Sequence, residues 1–292
     1  MDVYVQGICQ SHLYCFDEQE TADTCRGKNC KFAHLKENYI DSHCHLDLLN
    51  RDFHCHIDLM NMPKYFGGCI TNFCFPIDYN QWHNLQSLRF KTHFTIGLHP
   101  KCAQLYDINT KLKVEDMAIN KDCVAIGECG LDYTKKCAVA IKKKAFIEQL
   151  KIANRLDKPI VLHLRDSCMD AFHIAKDYLP VSHKIHLHCF TSTMNNYHNW
   201  KYFSNCKIGI TNMVNFPTAY NIHQLAREIP LEDILLETDS PYFLPRIVIN
   251  GQKFSNPGHA LNVAMRIAQL RNTSINEVIK TTTDNTNFIY NL

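Results

Sequence analysis

The sequence predicts a parallel α/β fold and, within that class, a closed (β/α)8 barrel. From Tyr39 onward, short runs rich in Ile, Val and Leu alternate with amphipathic stretches, as buried parallel strands alternate with helices. Eight such units over about 250 residues match the usual size of this barrel. The rival is a doubly wound open sheet, but no glycine-rich phosphate loop follows the first strand to support it.

Each strand is predicted from a short apolar run bounded by turn residues or charges. The eight predicted strands are 39–42, 67–74, 92–98, 123–128, 159–164, 184–189, 206–211 and 234–239. The clearest helix covers 138–156, where apolar side chains recur at helical spacing. A second helix is expected over 257–271, with Pro257 in its first turn. Residues 39–292 therefore form the predicted barrel domain.

Composition narrows the class of protein further. The chain has 292 residues, of which 46% are hydrophobic and 21% charged, with a net charge of +2. These values exclude wholesale disorder and a protein held on nucleic acid by overall charge alone. An odd count of 15 cysteines, with no secretory signal at Met1–Tyr4, argues against a disulfide scaffold. With no apolar run long enough for a bilayer, we expect a monomeric intracellular protein of the nucleus or cytoplasm without membrane association.

Imidazole and carboxylate groups stand at the carboxyl ends of the predicted strands. His43 and His45 follow the first strand and, as alternate residues, face the same way. Other strands end in Glu128, His163, His188 and Asp239. In a closed barrel these ends meet at one mouth, where barrel enzymes carry their chemistry. The set suits zinc, manganese, iron or a similar divalent ion, and six ligands suit two ions that share a carboxylate.

Other polar residues lie beside this set. Arg165 could hold a phosphate bidentately or form a surface salt bridge. His99, at the end of the third strand, could contact substrate or support a ligand. Asp132 and Glu237 could orient ligands or be buried structural carboxylates.

Three further histidines are predicted not to bind metal. His186 shares the face of His188 but lies two residues deeper, so a supporting or core role is expected. His54 and His56 repeat the spacing of His43 and His45 but follow no apolar strand. We interpret them as surface loop residues.

Several motifs resemble those of the TatD-type metal-dependent deoxyribonucleases, and most of all an animal subgroup of that family. The resemblance extends over residues 39–292. The motifs are 41–47 (DSHCHLD), 97–100 (GLHP), 127–133 (GECGLDY), 163–166 (HLRD), 188–190 (HCF) and 237–245 (ETDSPYFLP). Lys101 departs from the pattern, because the family often has a second histidine after His-Pro.

The resemblance implies a TIM-type (β/α)8 metallohydrolase that cleaves phosphodiester bonds of nucleic acid. It implies two divalent ions, Zn²⁺, Mg²⁺ or Mn²⁺. His43, His45, Glu128 and Asp239 would hold the first ion, and Glu128 would bridge to a second held by His163 and His188. Glu128 and Asp239 would be the catalytic carboxylates, with Asp239 positioning or deprotonating the attacking water. Arg165 and His99 are the expected substrate contacts.

Residues 1–38 form a separate cysteine-rich region. Cys25, Cys30 and His34 resemble the end of a CCCH zinc finger, and either Cys9 or Cys15 could be the first ligand. Such a finger holds one structural Zn²⁺ and typically binds single-stranded RNA. The alternatives are a zinc site that only caps the barrel, or free cysteines clustered without a metal.

Taken together, the sequence predicts a metal-dependent nuclease acting on RNA or DNA, with single-stranded nucleic acid as the expected partner. Two other functions remain open: a metal amidohydrolase acting on a small molecule, and a catalytically inactive RNA-binding protein. Many barrel amidohydrolases use a modified lysine as the bridging ligand, so Glu128 favours the nuclease. Preference for RNA or DNA, exonuclease or endonuclease action and the native metal are not predicted.

Overall fold

The structure is a computed structural model that describes residues 35–55, 62–134, 137–245 and 253–292. The predicted finger ligands, which are Cys9, Cys15, Cys25, Cys30 and His34, lie outside the described residues. Among the described residues, no helix combines the length and apolar character needed to cross a membrane.

Eight parallel strands form one sheet in sequence order. They are β1 Tyr39–Cys44, β2 Phe66–Phe73, β3 Lys91–Ile96, β4 Cys123–Asp132, β5 Ile160–Arg165, β6 Lys184–His188, β7 Asn205–Ile210 and β8 Ile234–Leu236. All eight predicted strands are present. The doubly wound alternative is wrong, because that fold requires a reversal of strand order.

The sheet curls into a nearly closed barrel, and β1 meets β8 through the residues at their carboxyl ends. The main-chain nitrogen of Asp239 donates to the carbonyl of His43 over 2.9 Å. The nitrogen of His45 donates to the carbonyl of Ser240 over 2.7 Å. These bonds bring the first and last functional segments of the chain side by side.

Helices connect the strands. They are α1 Leu46–Phe53, α2 Ile108–Ala118, α3 Val139–Leu156, α4 Cys168–Tyr178, α5 Met194–Trp200, α6 Tyr220–Glu228, α7 Ala260–Arg271 and α8 Ile275–Tyr290. The predicted helix 138–156 is α3. The predicted helix 257–271 begins with a 3-10 turn, Pro257–His259, before α7. There Asn256 and His259 form a reciprocal cap that satisfies main-chain donors.

Two strand ends differ from the prediction. β4 continues to Asp132 because it remains paired with β5 as far as Arg165. β8 stops at Leu236, and the nitrogen of Thr238 donates to the side chain of Asp41 instead of a neighbouring strand. Glu237 and Asp239 therefore lie just beyond the regular strand.

Two groups of apolar side chains stabilise the fold. The larger lies between the sheet and the helices. The smaller, which we term the barrel floor, consists of Ile70, Val124, Ala125, Val161, Leu235, Ile289 and Tyr290. Val161 precedes His163 by two positions, and alternate strand residues share a face, so the floor lies beneath the predicted metal ligands. The end of α8 supplies Ile289 and Tyr290.

Candidate metal centre

Glu128 lies at the centre of the barrel mouth, and its two carboxylate oxygens face different histidines. Oε2 lies 3.5 Å from Nε2 of His43 and 3.4 Å from Nε2 of His45. Oε1 lies 2.6 Å from Nδ1 of His163 and 3.8 Å from Nε2 of His188. The carboxylate is 2% exposed. A carboxylate between two groups of imidazoles could bridge two ions.

Asp239 completes the group around Oε2 of Glu128. Its Oδ1 lies 3.3 Å from Nε2 of His45 and 3.8 Å from Nε2 of His43. Its Oδ2 lies 3.8 Å from Nε2 of His188, on the side of the second group. The six predicted ligands are therefore brought together from β1 and the residue that follows it, β4, β5, β6 and the segment after β8.

In two histidines, the ring nitrogen that points away from Glu128 is hydrogen-bonded to a partner that orients the ring. Nδ1 of His45 lies 3.1 Å from the carbonyl of Asn72. Nδ1 of His188 lies 3.3 Å from Oε2 of Glu237. A carbonyl and a carboxylate can only accept here, so each Nδ1 carries a proton and Nε2 is the nitrogen directed at the centre. A histidine that binds metal through Nε2 requires this arrangement of Nδ1.

His163 and His99 lie on the second side of Glu128. His163 presents Nδ1 to Glu128, while its Nε2 is 3.8 Å from Oδ2 of Asp132. In His99, Nδ1 accepts from the main-chain nitrogen of Lys101 over 2.9 Å. Its Nε2 therefore carries the proton and lies 3.5 Å from Oε1 of Glu128. In this tautomer His99 is a donor toward the centre, and its ring also belongs to a group with Glu128 and His163 whose ligand atoms lie within 4.8 Å of one another.

The charges of the centre are strongly coupled. Burial opposes ionisation of Glu128, but His188 and His99 outweigh it and hold the pKa of the carboxyl well below its usual value. Burial also opposes protonation of His188, yet Glu237, Asp239 and Glu128 raise its pKa to about 9. For His43, burial and the charge of His188 lower the pKa to about 4. The centre therefore concentrates negative charge on Glu128, which favours a bound cation.

The donor set fits divalent metal. Imidazole nitrogens and carboxylate oxygens are the ligands of zinc and related ions. Several groups combine three donors within 4.8 Å of one another, including His43, His45 and Glu128. His43 and His188 stack with their ring centroids 3.5 Å apart, which a cation between their nitrogens and the carboxylates would stabilise. The residues present could thus hold metal ions at this site.

A second layer of residues beneath the ligands was partly missed by sequence reasoning. Glu237, predicted only as an orienting carboxylate or a structural one, accepts from the main-chain nitrogen of Cys189 over 2.6 Å. Nε2 of His186 lies 2.9 Å from Oε2 of Glu237. Nδ1 of His186 lies 2.6 Å from the hydroxyl of Tyr290. His186 has the supporting position expected for it, whereas nothing in the sequence near Tyr290 indicated its link to the centre.

The remaining predicted residues lie apart from the ligands. Arg165 is exposed at the end of β5, and within the described part of the chain its guanidinium forms no ion pair. His54 is exposed at the end of α1, as expected for a surface residue. His56 lies outside the described residues.

The chain is similar in sequence to several known proteins. A human protein named "3'-5' RNA nuclease TATDN2" is 34% identical over 272 residues, which are 88% of this chain. The chain spans only 36% of that protein's length. The "Uncharacterized metal-dependent hydrolase YcfH" of Escherichia coli is 30% identical over 84% of this chain and 93% of its own length. The "3'-5' ssDNA/RNA exonuclease TatD" of Escherichia coli is 30% identical over 68% of this chain and 77% of its own length.

The fold is also that of a solved relative. The crystal structure of YJJV, a TatD homologue from Escherichia coli, superposes with a TM-score of 0.76 at 22% identity, covering 87% of this chain and 98% of that one. The family model described as "TatD related DNase" matches residues 40–291. The chain is therefore a metal-dependent hydrolase of the TatD family.

Proposed function

We propose that this protein is a nuclease that hydrolyses phosphodiester bonds of single-stranded RNA or DNA with two divalent ions. The observation that carries the proposal is the position of Glu128, whose two oxygens face separate groups of histidines. A single ion would not need a carboxylate placed between two such groups. The names of the human and bacterial relatives support nucleic acid as substrate and cleavage from the 3' end.

The ligand sets follow from the distances. His43, His45, Asp239 and Oε2 of Glu128 would hold the first ion. Oε1 of Glu128, His163 and His188 would hold the second. When bound, such a pair neutralises the phosphate oxygens, activates water and stabilises the leaving oxygen.

The residues themselves orient and move protons. Glu237 keeps the proton of His188 on Nδ1, so that its Nε2 lone pair stays directed at the centre. Asp239 presents Oδ1 to His45, which leaves Oδ2 to accept the proton of the attacking water. Nε2 of His99 donates toward the reacting phosphate. No covalent intermediate with the protein is needed.

We further propose that residues 1–38 carry a zinc finger of the CCCH type that delivers single-stranded nucleic acid to the barrel. Cys25, Cys30 and His34, with Cys9 or Cys15, would hold its structural Zn²⁺. Deletion of residues 1–36 is expected to weaken RNA binding at unchanged hydrolysis of a small phosphodiester. Unchanged RNA affinity in the truncated protein would contradict this role and leave the finger as a structural cap.

The function is tested with end-labelled single-stranded RNA, single-stranded DNA and duplex, each with and without chelator. We expect hydrolysis of the single strands, loss of activity on chelation and recovery with Mg²⁺, Mn²⁺ or Zn²⁺. A 3' label released first as mononucleotide would identify a 3'-5' exonuclease. Binding without hydrolysis under all metals would favour an inactive RNA-binding protein. Activity on cyclic amides or lactones, with none on phosphodiesters, would favour an amidohydrolase.

A further inference from the structure

A cavity of about 660 Å³ opens beside the metal centre, and His188 forms part of its wall. It lies between two loops, one joining β5 to α4 and the other joining β6 to α5. These loops leave the barrel at the carboxyl ends of neighbouring strands. The cavity is therefore continuous with the place where the scissile phosphate would bind.

The two walls of the cavity combine apolar and hydrogen-bonding groups. The first wall includes Leu164 and Met169, both half-buried. The second includes the ring of Phe190, which is 5% exposed, and the polar residues Ser192 and Asn196. Nδ2 of Asn196 donates to Oγ of Ser192 over 2.6 Å, so these polar groups are fixed in place. Apolar walls with a few fixed polar groups are typical of a site for a small, partly aromatic ligand.

The charged side chains around the cavity favour a phosphate at its edge and an uncharged group inside it. Arg165 lines the cavity, and across the residues described its guanidinium has no carboxylate partner. Asp170 is bound to the hydroxyl of Tyr133 over 2.6 Å and to Nζ of Lys143 over 2.9 Å. Asp166 is exposed on the same rim. The carboxylates oppose a second phosphate within the cavity, whereas Arg165 can bind one at its edge.

We propose that this cavity is a nucleoside subsite, which holds the unpaired base and sugar of the nucleotide next to the scissile phosphate. The inference rests on the proposed nuclease function and adds how the substrate is selected. Phe190, Leu164 and Met169 contact the base, Ser192 and Asn196 bind the sugar or base edge, and Arg165 binds the adjoining phosphate. A base bound between the two loops lies away from any pairing partner, so the subsite selects single strands.

The test compares a nucleotide ester with an ester that has no nucleoside. The substrates are thymidine 5'-(p-nitrophenyl phosphate) and methyl p-nitrophenyl phosphate, and the measured quantity is the ratio of their kcat/KM values. The variants Ser192→Trp and Thr191→Trp place an indole in the cavity, and Thr191 is exposed, so its substitution should not disturb folding. Ser204→Trp is the matched control, because Ser204 is exposed and precedes β7 at the opposite end of the barrel.

We expect the ratio to favour the thymidine ester in the wild-type protein and in Ser204→Trp. Each cavity variant should lower it about tenfold, the range of one base stacking contact. An unchanged ratio in both cavity variants would overturn the subsite while leaving the nuclease function in place.

Ligand affinity tests the subsite independently of catalytic activity. By calorimetry, thymidine 5'-monophosphate should bind the metal-loaded wild-type protein at least tenfold more tightly than inorganic phosphate. That preference should disappear in Ser192→Trp and Thr191→Trp. Equal affinity of the wild type for the two ligands would refute the subsite. Hydrolysis of neither ester by the wild type would instead refute the proposed function.

Discussion

The carboxylate of Asp41 binds both polar groups of Thr238, and this pair joins the first strand of the barrel to the segment after the last. The main-chain nitrogen of Thr238 donates to Oδ1 of Asp41 over 2.9 Å, and its hydroxyl donates to Oδ2 over 2.6 Å. Both residues are fully buried. Because His43 and Asp239 lie next to this pair, it also sets the distance between ligands from opposite ends of the chain.

Replacement of Thr238 by Val should weaken this closure. The change keeps the shape of the side chain but leaves a buried carboxylate oxygen without its donor, which costs about 1–3 kcal/mol of unfolding free energy. Urea unfolding measures the loss. Thr218→Val, at an exposed threonine, is the matched control and should change the stability little. Equal stabilities of the two variants would show that the contact does not close the barrel.

Glu128→Gln should abolish hydrolysis and reduce the number of bound ions. The amide keeps the shape but loses the charge that both groups of histidines face. Metal analysis of purified protein should find two ions in the wild type and fewer in the variant, and chelation should remove the activity of the wild type. Glu232→Gln, on an exposed carboxylate, serves as the control. Undiminished turnover by Glu128→Gln would contradict the assignment of Glu128 as a metal ligand.

Gly209→Ala should damage the metal centre without touching a predicted ligand. A Cβ at this position would lie 2.2 Å from Oε2 of Glu237, so the carboxylate that orients His188 would have to move. Loss of such an orienting partner typically lowers metal affinity by about 10–100-fold. Competition with a fluorescent chelator measures the affinity. In the control Gly67→Ala the nearest atom would be 3.0 Å away, and an equal effect there would argue against the role of Glu237.

His259 should make part of the stability depend on pH. Burial lowers its pKa from 6.5 to about 4, and its neutral Nδ1 accepts from the main-chain nitrogen of Asn256 over 3.2 Å. The unfolded chain binds this proton more readily, so the contribution is complete above pH 6.5 and is lost as the pH falls toward 4. Between pH 8 and pH 5 the wild type should lose about 1–2 kcal/mol more than His259→Gln. Parallel curves of unfolding free energy against pH would contradict this.

Arg165→Gln should lower nucleic-acid affinity and its dependence on salt. One phosphate contact fewer reduces the slope of log affinity against log salt by about one unit. Fluorescence anisotropy with a labelled oligonucleotide measures both quantities. The overall slope should be shallow, because the net charge is only +2. Arg227→Gln, an exposed arginine in the last turn of α6, should leave the slope unchanged. The same decrease in both variants would exclude a specific phosphate contact.

Much of the fold could be predicted because buried parallel strands leave a direct composition signal. The sequence predicts all eight strands, and the candidate ligands at their ends follow from the rule that alternate residues share a face. The ends of β4 and β8 were placed less well. β4 continues because β5 offers it a partner, whereas beyond β8 the main-chain nitrogen of Thr238 donates to Asp41 instead of to a neighbouring strand. Neither partner is close in sequence to the strand it affects.

What the sequence determined by itself is the chemistry: which residues could bind metal, in what order along the chain, and at which end of the strands. This follows because residue type and strand period are local properties. Only the tertiary structure decided which partner each carboxylate oxygen and each imidazole nitrogen of the centre faces. The division of the Glu128 oxygens, the tautomer of His45 set by Asn72 and the contact of Tyr290 with His186 each join distant segments. The cavity beside His188 belongs with these, because two separate loops form its walls.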